Sequence, residues 1–425
     1  MNAPFRRGAC PGLSAPMSTG DGLLVRLLPI GTMPLDAFAQ LCAAARTYGN
    51  GVIEVTARGS IQIRGLNAAS APRFAEAVAE LGIAAVDGVP VLTNALAGLE
   101  TNEILDASAL AVDLRRAVAH AALTASLAPK VSVVIDGGGA LHLDELSADV
   151  RLRAEQINGQ IALRVGIGGD GANSVQLAVV ALADGVEAAT RMLNVISQHG
   201  RNARARDILA AEGPEMFRAA LANLLMSDVP QRIVRGSCDA VGTHRLGDGS
   251  LACGVGLAFG HADAPALGNL ADAAKSAGAG GMRAAPGRAL LIIGLRQEAA
   301  SSFAAAVERL GFIVCAGDRR RRVIACAGAP ICASAHIAAR AMAPDIAATA
   351  APFLDGAFTI HLSGCAKGCA HPAPASLTIV GTADGCALVA NGSSRGVPLK
   401  IAATDELAAA VTRYAREVSR KDGHV

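Results

Sequence analysis

Two stretches of the chain, Gly20–Leu66 and Gly249–Leu295, are each 47 residues long and align without a gap at an offset of 229. Gly31 meets Gly260, Leu41 meets Leu270, Gly49 and Gly51 meet Gly278 and Gly280, and Gly65-Leu66 meets Gly294-Leu295. A register that keeps turn glycines and a closing Gly-Leu together marks a repeated unit of fold rather than chance similarity in an Ala/Gly-rich chain. Each copy predicts a strand (Leu23–Leu28; Leu251–Ala258), then an Ala-rich helix (Leu35–Tyr48; Ala266–Ala277). A glycine turn follows where a helix should stop, then a closing strand. The closing strand alternates in Ile61-Gln-Ile-Arg64 and is continuously apolar in Leu290-Leu-Ile-Ile293.

A β-α-β half is too small to close a sheet, so two of them are expected to pair about a pseudo-two-fold axis. Each is followed by a longer α/β stretch. The expected architecture is α+β in four parts: half-repeats over 15–84 and 226–297, and α/β domains over 85–225 and 298–425. The Arg/Ala-rich segment Val195–Leu224 reads as helical and links the halves.

Composition narrows the function classes. At 425 residues, 52% hydrophobic and 17% charged, the chain has ample material for more than one core. A net charge of +2, no Trp and two Tyr argue against a nucleic-acid partner. The most apolar stretch, Val175–Ile196, is interrupted by Asp184, Glu187 and Arg191, so no membrane partner is expected. The basic start lacks a following apolar run, which predicts a cytoplasmic protein.

In a reducing cytosol ten cysteines do not form a disulfide framework. Cys10, Cys42, Cys238, Cys253, Cys315 and Cys386 stand alone and read as small buried hydrophobes. The other four form two close pairs, Cys326-Ala-Gly-Ala-Pro-Ile-Cys332 and Cys365-Ala-Lys-Gly-Cys369. Four thiolates suit a tetrahedral zinc or an iron–sulfur cube. Five residues between Cys326 and Cys332 is long for zinc, and the small flanking residues would let backbone N–H groups approach bridging sulfides. The spacing favours the cluster.

Cys-x5-Cys followed by Ser-Gly-Cys-x3-Cys resembles the signature of the sulfite and nitrite reductases that couple sirohaem to a 4Fe-4S cluster. That family is built from two ferredoxin-like halves and two cluster- and tetrapyrrole-binding domains. The resemblance spans essentially the whole chain. It implies Cys326, Cys332, Cys365 and Cys369 as cluster ligands, the last bridging to the haem iron where sirohaem is present. Thr56-Ala-Arg58-Gly-Ser-Ile-Gln62-Ile-Arg64-Gly65 is similar to the family's strand Thr-x-Arg-x-x-x-Gln-x-x-Gly, which holds macrocycle carboxylates. Period two places Thr56, Arg58, Gln62 and Arg64 on one face. Arg26 falls near a family arginine when one residue is skipped, and Arg288 is the second-half counterpart of Arg58 displaced by one position.

Departures select a branch. The family's anion-binding arginine and lysine pair should fall in Val91–Gly98 and Arg164–Asn173, yet the first has no Arg and neither has Lys. Reduction of a small anion would lose a large electrostatic contribution without them. Arg7-Gly-Ala-Cys10-Pro-Gly-Leu13, Pro16-Met-Ser-Thr-Gly-Asp-Gly22 and Ser363-Gly-Cys-Ala-Lys-Gly-Cys-Ala-His-Pro372 instead resemble the cobalamin-pathway branch, the precorrin-3B synthases. That resemblance implies an O2-dependent monooxygenase that hydroxylates precorrin-3A at C20 and forms a γ-lactone. It also implies a 4Fe-4S cluster, a mononuclear non-haem iron in place of sirohaem, and NADH as reductant, directly or through a reductase partner. A sirohaem-dependent reductase and a non-catalytic metal-stabilised binding protein are the competing readings.

For the iron, two histidines and a carboxylate form a typical oxygen-activating set, but no compact motif offers one. His371 is the first candidate, with His361 and His336; His244 and Cys10 stay open. Gly166-Ile-Gly-Gly-Asp-Gly171 matches a dinucleotide fingerprint, but Asn173–Ala183 reads as a strand, which makes it a hairpin. The run Arg319–Arg322 suits substrate carboxylates, an acidic donor or solvent alike.

Overall fold

The structure is a computed structural model and describes residues 11–86, 88–227, 230–354 and 358–421. Cys10 lies outside the described residues. In the first copy the strands Met17–Thr19, Gly22–Leu27, Ile61–Leu66 and Val52–Val55 lie side by side in that order. In the second copy the order is Gly242–Arg245, Leu251–Gly256, Ala289–Leu295 and Gly281–Ala285. Each copy holds two strands beyond the expectation: the edge strands Met17–Thr19 and Gly242–Arg245, and Val52–Val55 and Gly281–Ala285, formed where only a glycine turn was expected.

The halves interlock. Strand His261–Asp263 of the second copy adds to the edge of the first sheet, pairing Ala262 with Ile53. Met33 of the first copy bridges Met282 of the second. Under the offset of 229 these two contacts are one contact seen from either side, which defines the pseudo-two-fold axis. Helix Leu35–Tyr48 buries Leu35, Phe38, Leu41, Cys42 and Ala45 on one stripe and faces its counterpart Ala264–Ser276. One core serves both halves: Phe38, Ile53, Ile63, Leu270, Met282 and Leu290 belong to it. Helix Gln297–Arg309, expected to open the last domain, sends Phe303 and Val307 into that same core as the counterpart of Ser70–Glu80.

The two α/β domains also repeat each other. In the first, strands Val91–Thr93, Val133–Asp136 and Ala148–Ile157 run parallel, and Gln160–Gly169 and Val175–Ala181 follow antiparallel. In the second, Val323–Ala325, Ile360–Ser363 and Ala375–Thr382 run parallel, and Gly385–Gly392 and Lys400–Ala402 follow antiparallel. A helix, Ala107–His120 or Ala339–Ala350, links the first two strands of each. The duplication therefore covers the whole chain. Gly166–Gly171 falls at the end of strand Gln160–Gly169 and in the turn after it, so the hairpin forms and no helix opens there. Val195–Leu224 is helical over parts of Gly185–Gln198, Ala205–Glu212 and Glu215–Leu221, which cover the first α/β core through Ile196, Ile208 and Phe217. Among the described residues, no helix is long and apolar enough to cross a membrane.

Candidate functional site

Strand alternation builds the first wall of the site. Ile53, Val55, Ile61 and Ile63 point into the core, so their even-numbered neighbours point the other way. Cross-strand register then sets Arg26, Gln62, Glu54 and His261 in one row across four strands. Arg26, Glu54, Thr56, Arg58 and Gln62 line a cavity of about 1070 Å3, closed on other sides by Arg201, Arg288, Cys369 and His371. A second cavity of about 630 Å3 adjoins it, sharing Phe259, Gly260, Arg288 and His371.

The predicted residues divide. Gln62 lies on the strand as expected, while Thr56 and Arg58 occupy the turn before it. There Thr56 Oγ1 accepts from the N–H groups of Arg58 and Ser60, at 3.3 and 3.0 Å. Arg58 reaches across to the first α/β domain, donating to Ser147 O and Ser132 Oγ at 2.5 and 3.0 Å. Arg64 shares the face of Gln62 but is not a cavity donor, because Asp21 grips it at 2.7 and 2.8 Å and Glu54 lies 3.5 Å away. Burial works to lower the Arg64 pKa, and Glu54 and Asp21 hold it above the ordinary arginine value. Asp21 is the residue the sequence did not reveal; it sits 43 positions upstream.

The cysteines come to one place. Gly364 N–H donates to Cys326 Sγ at 3.0 Å. Cys332 N–H donates to Gly328 O, and Ala333 N–H donates to Gly20 O, both at 2.8 Å. Gly20 lies so close that a Cβ there would meet Cys332 Sγ at 2.3 Å. Cys369 lies within electrostatic reach of Cys332, Cys365 and Arg64. Burial pushes the Cys326 thiol up to about 11. Among the described residues, no three cysteine sulfurs lie within 4.8 Å of one another.

These loops have sister loops of equal length in the first α/β domain: residues 94–106 against 326–338, and 137–147 against 364–374. Counting along them sets Asn94, Glu100, Gly138 and His142 against Cys326, Cys332, Cys365 and Cys369. The hydrogen bonding follows: Gly137 N–H donates to Asn94 Oδ1 at 2.7 Å, as Gly364 N–H does to Cys326 Sγ. The sister site is lined differently, and its Leu141, His142 and Leu143 border the cavity of about 630 Å3. Arg235 bonds Asp144 at 2.7 and 2.9 Å and also pairs with Asp136. The sheet face above it carries Ala285, Leu291 and Ile293 at the positions of Thr56, Gln62 and Arg64, packed on Ala95, Leu96 and Leu141. The duplicated frame thus carries two unlike cavities, and only the larger is walled by the Arg26, Glu54 and Gln62 row.

His361, on the strand leading to Cys365, is fully buried, and both its ring nitrogens lack a partner. Its ring lies 5.6 Å from that of His371 in a T-shaped contact. Burial, then His371 and Arg288, push its pKa down to about 3, so the ring is neutral. The structure thus sets the buried His361 against His371, which lines both cavities, and leaves His336 exposed on the surface. His244 is remote, facing Ala240 O at 3.0 Å.

Residues 15–81 match the nitrite/sulfite reductase ferredoxin-like half domain. Over 417 residues, 98% of this chain, the sequence is 38% identical to a precorrin-3B synthase of Sinorhizobium sp, of which it covers 90%. It is 28% identical over 192 residues to a sulfite reductase (ferredoxin) 2 of Mycolicibacterium paratuberculosis, which is 42% of this chain and 34% of that protein. The fold is similar to that of the Mycobacterium tuberculosis NirA protein, with a TM-score of 0.74 at 20% identity over 94% of this chain and 83% of the other.

Proposed function

This chain belongs to the precorrin-3B synthase family, oxidoreductases of the cobalamin pathway, and from that premise we propose that it converts precorrin-3A to precorrin-3B with O2. One oxygen atom enters at C20 and the other leaves as water, with two electrons drawn from NADH directly or through a reductase. The observation that carries the reading is the basin itself. Arg26, Arg58, Arg201 and Arg288 surround a cavity of about 1070 Å3 that reaches Cys369. A macrocycle bearing eight carboxylates is what such a cationic basin fits.

The residues present suit the two metal groups the family implies. Cys326, Cys332, Cys365 and Cys369 would hold the 4Fe-4S cluster; the Gly20 contact and the Gly364 N–H leave backbone rather than side chain against the sulfurs. His361 and His371 would hold the mononuclear iron, which would take one of the two orphaned ring nitrogens of His361. When bound, the cluster supplies electrons and the iron a site for O2. The arginines fix the macrocycle, and Gln62 and Thr56 line its edge. Leu28, half-buried in the same lining, sets apolar surface beside them.

Protein purified without air is expected to show broad iron–sulfur absorption, iron in excess of the cluster, and 18O from labelled O2 in precorrin-3B. A sharp sirohaem band would turn the reading to the sulfite or nitrite reductases, and zinc without sulfide would end it. Arg58→Ala is expected to weaken tetrapyrrole binding by about 1.5–3 kcal/mol, the value of a charge-assisted hydrogen bond. Unchanged affinity in a tetrapyrrole titration would remove Arg58 from the basin.

A further inference from the structure

We propose that Arg288 is an anion anchor that takes one carboxylate arm of the macrocycle where the two cavities meet; the inference rests on the tetrapyrrole reading. Arg288 closes the hairpin between strands Gly281–Ala285 and Ala289–Leu295 with φ of 63°, in the left-handed region. Such a conformation is unfavourable for a residue with a Cβ. The sister turn uses Gly59 at the equivalent position, φ 78°, where the backbone is free to adopt it. A glycine would therefore serve the turn at 288 as well. The arginine stands there for its side chain.

That side chain is given room. Gly260 sits against it, and a Cβ at 260 would lie 2.8 Å from Arg288 Cδ. Phe259, beside Gly260, is itself left-handed at φ 61°. The guanidinium reaches Ala370 O, at 3.3 Å, between Cys369 and His371 in the chain.

Among the described residues no carboxylate is paired with its charge: none lies within 4.0 Å of Arg288, although Asp239 holds the neighbouring Arg321 at 2.5 and 2.7 Å. Burial pulls the Arg288 pKa below the ordinary value, with Glu54 acting from a distance to raise it and Arg321 to lower it. A guanidinium has five donors, and one bond to a carbonyl leaves the others directed at the cavities Arg288 lines. A largely desolvated, unpaired cation is costly in a folded protein, and a ligand carboxylate removes that cost with a bidentate pair.

The test titrates the full chain with uroporphyrin III, a stable tetrapyrrole octacarboxylate, followed by fluorescence. Arg288→Gly is expected to raise the melting temperature, by relieving the left-handed residue, while weakening uroporphyrin binding about ten- to hundredfold. Arg288→Gln, which keeps the side chain and removes the charge, should weaken binding to the same extent without the gain in stability. Arg288→Lys should lie between Arg288→Gln and the native chain. The neutral octamethyl ester should not distinguish any of them. If the native chain binds uroporphyrin and both Arg288→Gly and Arg288→Gln bind it equally well, the anchor is refuted while the basin stands. If the native chain binds no octacarboxylate, the tetrapyrrole reading itself falls.

Discussion

Cys365→Ser is expected to yield a folded chain without cluster iron or sulfide and without turnover. Serine is a poor ligand for iron at neutral pH because its hydroxyl stays protonated where a thiol is readily taken as thiolate. The usual objection to such a variant is that it unfolds, and the sister loop answers it. Gly138 stands where Cys365 stands, in a loop of the same length between the same two strands, and that loop closes through the same glycine N–H bond. The thiol is therefore dispensable to the fold. Iron and acid-labile sulfide should both fall to background while far-ultraviolet circular dichroism is retained. Full iron and sulfide in the variant would remove Cys365 from the ligand set.

The second large effect is at His361. Replacing this buried ring by leucine, a side chain of comparable bulk, removes two polar atoms that no protein group satisfies. For a merely structural histidine the result is a gain in stability of about 1–3 kcal/mol with activity intact, since an unsatisfied buried group carries that penalty. For a metal ligand the gain is seen only in metal-free protein. His361→Leu is therefore expected to keep cluster iron and sulfide, to lose about one further iron per chain, and to lose turnover. Retention of that extra iron would show that His361 is not a ligand.

Much of the frame was legible because it depends on periodicity. The helix Leu35–Tyr48 and the closing strands declare themselves through the spacing of apolar residues and the glycines at their ends. Four thiols in two close pairs are visible in any one-dimensional reading. What escaped depends on partners far along the chain. Arg64 looks like Gln62 until Asp21 is set beside it. The strand Val52–Val55 is four residues long and follows a glycine, so its pattern is too short to read. The kinship of the two α/β domains is hidden because the register between them shifts from one loop to the next, and because they share backbone bonds rather than side chains: Asn94 does for Gly137 what Cys326 does for Gly364. Arg288 was legible as a displaced counterpart of Arg58, but its importance comes from a backbone angle and a missing counter-ion, neither of which a sequence displays.

The reciprocal strand exchange, Ala262 on Ile53 and Met33 on Met282, is the arrangement a symmetric homodimer would adopt if its subunits were later joined end to end. In such an ancestor both basins would have been identical, and any change to one would have struck the other. Fusion lifts that constraint. One copy is free to reline its basin with alanine, leucine and an internal ion pair, while the other specialises without risk to the partnership that keeps both upright.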